Sequence, residues 1–189
     1  MASTTPVIRH ARREDVPAIL SLIRELADYE HALDCVEATE DTLAATIAFA
    51  PSSDVTSPGP DGLPITEPVS PSRPARCLVL ESPTSNQVVG MALYFYNYST
   101  WRARPGIFLE DLYVKQSERK KGYGKGLLVE LAKEVQAMKG GRLEWNVLKW
   151  NEPSIKFYES EAIGAQMMSE WVGMRVDGEG LPKLAKLLD

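Results

Sequence analysis

A stripe of apolar residues near the N-terminus is the clearest pattern in the chain. It recurs at intervals of three and four positions and consists of Val16, Ile19, Leu20, Ile23, Leu26 and Ala27. This spacing places the stripe on one face of an amphipathic helix. Asp15 before Pro17 marks the start of the helix, because proline is tolerated in the first turn, where an N–H group has no intrahelical partner.

The pattern further along the chain predicts an alternation of strands and helices. The predicted elements are a strand at 6–11 before this helix, a weaker helix at 39–50, strands at 76–81, 87–98 and 106–114, a helix at 127–138, a strand at 142–148, a short helix at 153–160, a strand at 165–177 and a closing helix at 181–188. The strand at 106–114 is apolar on both alternating faces, which favours a sheet covered on both sides. We predict an α/β protein with one domain, residues 1–189, and no internal repeat.

Residues 51–74 interrupt this alternation. They hold seven of the 13 prolines, with Ser, Gly, Asp and Thr between them and almost no large apolar side chain. Such a segment has little surface to bury and few backbone donors to pair, so we predict a flexible Pro/Ser-rich insertion. An ordered lid over an active site is the alternative.

Charge and hydropathy narrow the classes of function. The 26 acidic and 21 basic side chains give a net charge of −5, which argues against a protein held to nucleic acid by an excess of Lys and Arg. The longest nearly unbroken apolar run, 88–96, is far shorter than the roughly 20 residues that span a bilayer. Residues 1–9 lack the apolar core of a signal peptide. We therefore expect a cytoplasmic protein with no nucleic-acid or membrane partner.

Cysteine and histidine give no indication of a metal centre. Cys35 and Cys77 are too few for a disulfide framework, and a reduced compartment is expected. His10 and His31 lack ligand spacing with any cysteine or carboxylate cluster, so we predict that no metal is bound.

A glycine-rich turn precedes the helix predicted at 127–138. It reads Lys120-Lys121-Gly122-Tyr123-Gly124-Lys125-Gly126. Closely spaced glycines let the backbone approach a ligand, and free amide groups together with the helix dipole favour phosphate. The spacing matches neither a nucleotide P-loop nor a dinucleotide fingerprint. From this turn alone, phosphate binding and a merely flexible helix start are both open.

Four segments together resemble GNAT acetyltransferases. They are Leu26 to Glu30, Phe108-Leu109-Glu110-Asp111-Leu112-Tyr113-Val114, the turn from Lys121 to Gly126, and Trp150-Asn151-Glu152-Pro153-Ser154-Ile155-Lys156-Phe157-Tyr158. Their order and approximate spacing are most similar to the diamine (spermidine/spermine) acetyltransferase family. Ser99-Thr100-Trp101 stands where the polyamine enzymes carry Asp-Pro before the tryptophan, and it resembles the branch that acts on thialysine. The resemblance covers nearly all of the chain except 51–74.

The resemblance implies a GNAT fold, with a mixed, mostly antiparallel sheet flanked by helices. In such a fold the sheet is splayed between the strand ending at Val114 and the strand ending at Leu148, with acetyl-CoA in the gap. It further implies that an amine attacks acetyl-CoA directly in a ternary complex. A homodimer is expected from the resemblance alone.

The same resemblance implies the residues that hold acetyl-CoA as co-substrate. Backbone groups of Leu112 and Val114 would pair with the pantetheine arm, and the amides of the glycine turn would hold the pyrophosphate. The full set is Leu112, Tyr113, Val114, Lys121, Gly122, Tyr123, Gly124, Lys125, Gly126, Leu127, Asn151 and Ser154. Lys121 stands where the family usually has Arg or Gln, and two extra residues separate Val114 from the turn. Arg119 belongs to the basic patch around this turn, which is either a solvated loop or a contact to the adenosine phosphates.

The chemistry of amine acetylation requires a base and an acid. An alkylamine has a pKa of roughly 10.4 and is protonated near neutrality, so a base must remove its proton and an acid should protonate the departing thiolate. Glu110 suits the first role and Tyr158 the second, as the resemblance implies. A solvated strand end and a core aromatic are the structural alternatives. Glu110 and its neighbour Asp111 can meet one substrate only if a β-bulge redirects one of them.

The resemblance also implies the residues that line the amine site. They are Tyr29, Glu30, Trp101 and Asp111, with Glu144 and Glu170 as weaker candidates. Carboxylates attract a cationic chain, and a tryptophan ring can stack on it. Glu30 could equally be an exposed residue at a helix end.

We predict an enzyme that moves an acetyl group from acetyl-CoA to a primary amine of a small molecule, namely a diamine, a polyamine or a lysine-like amino acid. The alternatives are a protein or peptide N-acetyltransferase and a non-catalytic acyl-CoA-binding regulator.

Overall fold

The computed structural model describes residues 5–51 and 58–188, and the chain divides into two compact units. The first unit ends at Asn146 and the second begins at Val147. Every helix in the described ranges is too short or too polar to cross a membrane.

The first unit is built on a five-stranded sheet in the order β1-β2-β3-β4-β5. Its strands are β1 (Val7–His10), β2 (Ala75–Glu81), β3 (Val88–Ser99), β4 (Arg104–Val114) and β5 (Leu143–Trp145). The first three pairings are antiparallel, whereas β4 and β5 are parallel. This confirms the predicted α/β class with its mixed, mostly antiparallel sheet.

Helices pack on both faces of this sheet. On one face, α1 (Val16–Tyr29) and α2 (Glu40–Thr46) share an apolar core with side chains of β2 and β3. On the other face, α3 (Tyr123–Ala137) comes so close to β1 that a Cβ at Gly126 would lie 3.1 Å from Cδ1 of Ile8. The sheet is therefore covered on both sides, as its apolar strands predict.

The start of α1 is fixed by a buried ion pair. Nη1 and Nη2 of Arg9 donate to the carboxylate of Asp15 at 2.7 and 3.0 Å, while Nε of Arg9 donates to Glu81 at 2.8 Å. One arginine thus ties β1 to β2 and to the residue before α1. The helix start predicted at Asp15 is confirmed.

The second unit contains α4 (Glu152–Glu159) and α5 (Gly180–Ala185). The strand predicted at 165–177 is wrong, and the strand predicted at 142–148, at the end of the first unit, is present but shorter than predicted. β5 ends at Trp145 rather than at Leu148, and residues 165–177 form no regular strand. Apolar β-branched and aromatic residues favoured strands at both places, but a strand also requires a hydrogen-bonded neighbour. Within the described residues, the segment 165–177 has no strand paired with it.

Part of the predicted flexible insertion, residues 52–57, lies outside the described residues. The remainder makes specific polar contacts. The carboxylate of Glu67 accepts a 2.7 Å hydrogen bond from Arg13 and lies 3.1 Å from Nη1 of Arg73. Nε of Arg76 donates to Oγ1 of Thr66 at 2.8 Å.

Candidate active site

The sheet opens where β5 ends. β5 is paired with β4 from Ile107–Leu143 to Leu109–Trp145. β4 then continues to Val114 while it stays paired with β3 on its other side. Among the described residues, no strand is paired with this edge of β4 from Glu110 onwards. The result is a gap in the sheet, beside the last residues of β4.

The backbone groups of Leu112 and Val114 point into this gap. The amide of Lys115 donates to the carbonyl of Val89 on β3 at 2.9 Å. Hydrogen-bonded and non-hydrogen-bonded pairs alternate along an antiparallel ladder, so the residues that bond to β3 are Lys115 and, two positions earlier, Tyr113. Leu112 and Val114 therefore direct their N–H and C=O groups away from β3.

A β-bulge in β4 lies where the gap begins. Asp111 is paired with Leu93 and Leu109 with Tyr94, so two consecutive residues of β3 face residues two apart on β4. Glu110 is the extra residue, and its side chain is exposed. A bulge redirects the neighbouring side chains. The structure thus contains the bulge that a joint role of Glu110 and Asp111 requires.

The bulge also changes which residues of β4 face away from β3. Before it, the amide of Ile107 donates to the carbonyl of Arg142, just before β5, at 3.1 Å. Before the bulge, the backbone N–H and C=O groups of odd-numbered residues of β4 therefore point towards β5. After the bulge, those of the even-numbered Leu112 and Val114 point into the gap.

Three carboxylates lie close together at this point of the sheet. Burial, together with the negative charges of Glu110 and Glu30, raises the pKa of Asp111 to about 6. Burial also raises the pKa of Glu30, which follows the last residue of α1. A cation among these groups would relieve both the burial and the mutual repulsion. The site therefore favours a positively charged ligand.

The glycine turn presents free amide groups. Gly122 caps α3 with a φ of 81°, a left-handed conformation in which glycine is least strained. The amide of Gly126 donates to the carbonyl of Gly122 at 2.9 Å, which is the first hydrogen bond of the helix. The amides of Tyr123, Gly124 and Lys125 precede it and have no intrahelical partner. Together with the helix dipole they suit an anion such as a phosphate.

Several side chains of the predicted cofactor set have structural roles. The side chains of Tyr123 and Leu127 are buried against the sheet, and the hydroxyl of Tyr113 donates to Glu25 at 3.3 Å. Nζ of Lys121 donates to Glu118 at 2.8 Å. These residues can therefore meet a ligand mainly through their backbone, with Lys121 available once it leaves Glu118.

Arg119 is a residue whose position the sequence did not reveal. Its guanidinium lies 5.0 Å from the ring centroid of Tyr29 and 5.5 Å from that of Tyr113. Its Nε donates at 3.1 Å to the carbonyl of Val114, one of the groups that face the gap. The sequence shows only a cation within a basic patch, and nothing in it indicates which of these cations stacks on two tyrosines. Arg119 joins the end of α1, and hence Glu30, to the end of β4.

Two predicted amine-site residues lie elsewhere in the first unit. Trp101 is 89% exposed in the turn between β3 and β4. Arg104, which follows this turn, and Glu110 are six positions apart on β4, which corresponds to about 20 Å along the strand. The carboxylate of Glu144 accepts a hydrogen bond from Asn97 and forms an ion pair with Arg142.

The remaining predicted residues belong to the second unit. Asn151 is the N-cap of α4, and its side chain accepts a 3.3 Å hydrogen bond from the amide of Ser154. The ring of Tyr158 lies 5.2 Å from that of Phe157, and Glu170 is exposed in a turn. Helix capping accounts for the spacing of Asn151 and Ser154 by itself.

Within the described ranges, no group of three or more His, Cys, Asp or Glu side chains is arranged to hold a metal ion.

Comparison with known proteins identifies relatives over most of the chain. The family described as "Acetyltransferase (GNAT) family" matches residues 51–163. An L-ornithine N5-acetyltransferase of Arabidopsis thaliana is 34% identical over 95% of this chain and 88% of its own length. A thialysine N-epsilon-acetyltransferase of Bos taurus is 36% identical over 95% of this chain and 96% of its own length.

Solved structures share the fold. An integron cassette protein from the mobile metagenome of Vibrio cholerae has a TM-score of 0.70 at 24% identity, over 97% of this chain and 99% of that chain. An aminoglycoside acetyltransferase from an uncultured soil metagenomic sample has a TM-score of 0.65 at 14% identity, over 95% of this chain and 100% of that chain.

Proposed function

Because the chain belongs to the GNAT acetyltransferase family, we propose that it transfers the acetyl group of acetyl-CoA to a primary amine of a small molecule. The proposal depends on one observation at the bulge of β4. There, a strand edge that has no partner strand among the described residues lies beside a cluster of carboxylates. The edge suits the amide-containing arm of the co-substrate, and the carboxylates suit a cationic acceptor.

The backbone around the gap fits acetyl-CoA. The N–H and C=O groups of Leu112 and Val114 can pair with the peptide-like pantetheine arm in the way that an added strand would. The free amides at the start of α3 can hold the pyrophosphate. The Val114 carbonyl becomes available when Arg119 turns away from it. Acetyl-CoA supplies the thioester carbonyl that the amine attacks.

The carboxylates would bind the amine and prepare it for attack. Glu30 and Asp111 attract the ammonium form, which is the main form near neutrality. Glu110 then accepts a proton from the nitrogen, directly or through water, since its exposed side chain stays in contact with solvent. The C–N bond forms as the C–S bond breaks.

Tyr158 is proposed as the acid that donates a proton to the departing thiolate. This role depends on the match of the Trp150 to Tyr158 segment to the family and on the need of a thiolate for a proton donor. Asn151 and Ser154 are proposed on the same match to contact the co-substrate.

The acceptor we propose is an amino acid with a second, distal amine. The names of the relatives state ornithine and thialysine as their substrates, and both molecules have this form. Homodimerisation is proposed from the family resemblance, and light scattering of the purified protein would measure the number of chains. A cytoplasmic location is proposed from the low cysteine content.

A screen of acceptors tests the proposal. The purified enzyme is incubated with acetyl-CoA and diamines, lysine-like amino acids or peptides, and free CoA is measured over time. We expect turnover with the small amines. Turnover with peptides alone would instead indicate a peptide N-acetyltransferase, and acetyl-CoA binding with no turnover on any acceptor would indicate a regulator.

A further inference from the structure

A second set of polar side chains lies on β3 and β5, away from the carboxylate cluster. Nδ2 of Asn97 donates to Oε1 of Glu144 at 2.6 Å, and Nε of Arg142 lies 2.9 Å from Oε2 of the same carboxylate. Both oxygens of Glu144 are therefore held in place. Nε of Arg142 makes this contact, and a guanidinium has four further N–H bonds on its terminal nitrogens. The arginine and the glutamate are each about 39% exposed, so a solute can reach them.

This polar set lies on the same face of the sheet as Asp111. Side chains at alternate positions of a strand share a face, as do directly opposite residues on neighbouring strands. Leu93, Phe95 and Asn97 alternate on β3, and Leu93 stands opposite Asp111. The bond between Asn97 and Glu144 shows that Glu144 belongs to this face too.

An aromatic pair lies between the two polar clusters. The rings of Phe95 and Phe108 stack with their centroids 5.1 Å apart, and both side chains are partly exposed. Phe108 is paired with Glu144 on β5 and with Phe95 on β3. Phe95 is two residues along β3 from Leu93, the partner of Asp111. The face thus presents carboxylates, then an apolar surface, then an arginine beside a glutamate.

We propose that Arg142 and Glu144 bind the α-carboxylate and the α-ammonium of an amino-acid acceptor, whose distal amine reaches Asp111. This inference depends on the proposed function, and it assigns binding residues to the end of the substrate that does not react. The α-carbon of an amino acid carries one negative and one positive group, and an adjacent arginine and glutamate offer the complementary pair. The methylene chain would lie on Phe95 and Phe108.

The spacing suits an acceptor of this length. Asp111 and Glu144 lie on neighbouring strands about 5 Å apart, and their positions differ by two residues along β3, from Leu93 to Phe95, or about 7 Å, so their Cα atoms are about 8 Å apart. The two nitrogens of an extended lysine-like molecule are joined by six single bonds and lie about 7 Å apart. A longer polyamine would pass beyond Glu144, whereas a short monoamine would leave it unused.

Gly106 makes room for the arrangement. A Cβ at this position would lie 2.5 Å from Oδ1 of Asn97 and 2.9 Å from the carbonyl of Arg142. Any other residue would displace the asparagine that holds Glu144. The glycine is thus required by the close approach of these groups and not by its own backbone conformation.

Kinetics with matched acceptors test the proposal. L-Ornithine and 1,4-diaminobutane differ only in the carboxylate, and 1-aminobutane also lacks the second ammonium. Release of free CoA gives kcat/KM for each acceptor. In Arg142→Ala we expect kcat/KM for ornithine to fall about 10-fold or more, the range for a hydrogen bond to a charged group, and that for diaminobutane to stay within about 2-fold. In Glu144→Gln we expect kcat/KM to fall for both ornithine and diaminobutane and to stay unchanged for 1-aminobutane.

Two further variants complete the test. Lys133→Ala removes a cation from the exposed side of α3 and should leave all three acceptors unaffected. Arg142→Lys keeps the charge without the planar fork and should recover part of the preference for ornithine. An equal fall for ornithine and diaminobutane in Arg142→Ala, or no fall for either, would overturn the proposal. If the unmodified enzyme acetylates diaminobutane but not ornithine, this inference alone fails. If it acetylates no amine, the proposed function fails.

Discussion

The hydroxyl of Tyr94 donates a 2.6 Å hydrogen bond to the carboxylate of Glu134, and so joins the middle of β3 to α3. Tyr96 donates to the other oxygen of the same carboxylate at 2.6 Å, and His10 lies 3.7 Å from it. Glu134 is only 5% exposed, yet its polar partners are all supplied from β1 and β3. The buried network fixes how α3, and with it the glycine turn, lies on the sheet.

Replacing Glu134 with glutamine should therefore lower the free energy of unfolding by about 1–3 kcal/mol near neutrality. Burial alone would raise the pKa of Glu134, but the nearby imidazole of His10 and the hydrogen bonds from Tyr94 and Tyr96 lower it overall. The ionised group therefore stabilises the fold above its unfolded pKa of 4.5, and this contribution is lost as the pH falls through the folded pKa. Urea denaturation from pH 7 down to about pH 3 measures it.

A matched control lies on the same helix. Glu130 forms an ion pair with Lys133 on the solvent side of α3, and Glu130→Gln should change the stability by less than about 0.5 kcal/mol. Equal losses in Glu130→Gln and Glu134→Gln would contradict the role given to the buried network.

Replacing Asp111 with asparagine should stabilise the protein at neutral pH. Burial, with Glu110 and Glu30, raises the pKa of Asp111 from 3.8 to about 6, so the folded state binds this proton more tightly than the unfolded chain. The free energy of unfolding then falls as the pH rises from about 4 to about 6, and it stays lower above that range. We expect Asp111→Asn to gain on the order of 1–3 kcal/mol at pH 7.5 and much less at pH 4.5.

The same variant should bind amines more weakly. Its KM for a cationic acceptor should be higher, and the fall in KM between pH 5 and 7 that accompanies ionisation of Asp111 should disappear. Asp28→Asn, at an exposed position of α1, serves as the control for charge. A destabilised Asp111→Asn at pH 7.5 would show that the carboxylate has a favourable partner in the fold.

Hydrogen exchange should report the open edge of β4 residue by residue. The amides of Asp111 and Tyr113 bond to β3, so they should exchange slowly in the free protein. Those of Leu112 and Val114 face the gap and should exchange quickly until CoA is added, when they become protected. NMR spectra with and without CoA measure the four amides. Protection of all four in the free protein would contradict the gap.

Replacing Gly122 with alanine should weaken binding of CoA. The left-handed conformation disfavours a Cβ by about 1 kcal/mol, and relaxation of the turn would misalign the amides that start α3. Gly164→Ala is the matched control, because Gly164 also has a positive φ and open space around it. We expect similar small losses of stability in both variants, measured by thermal unfolding, and a raised Kd for CoA in Gly122→Ala alone, measured by calorimetry.

Replacing Tyr158 with phenylalanine should lower kcat by about 100-fold or more, since a positioned acid contributes that much to proton transfer. Calorimetric affinity for acetyl-CoA should be unchanged. Tyr98→Phe, at a residue that is 60% exposed, is the control. A Tyr158→Phe enzyme with unchanged kcat would remove Tyr158 from the mechanism.

Much of the fold follows from local patterns. The stripe from Val16 to Leu26 predicts α1 because a helix repeats every 3.6 residues over many turns. The segment 165–177 has the composition of a strand but no strand partner within the described residues, and pairing between distant segments leaves no local signal. β5 stops early for the same reason, because its end depends on β4.

The candidate site likewise contains residues that the sequence indicates and contacts that it does not. Glu110 and Asp111 are conspicuous in the sequence as adjacent charges in an apolar strand, but the bulge between them appears only when the register with β3 is known. The stacking of Arg119 on Tyr29 joins residues 90 positions apart. Asn97 and Glu144 likewise meet only because three strands are aligned.

The bulge takes up one residue of β4 without a partner on β3, so the direction of the backbone groups after it does not depend on Glu110. Substituting Glu110 with alanine removes a carboxylate but keeps the count, so Leu112 and Val114 still face outward. Deleting Glu110 would remove the bulge and leave a continuous ladder, in which Asp111 stays opposite Leu93 and the backbone groups of Leu112 and Val114 still point away from β3. A deletion would therefore keep the strand edge that faces the acyl donor but lose the redirection of the side chain of Asp111, whereas a substitution at the same position would impair only proton removal.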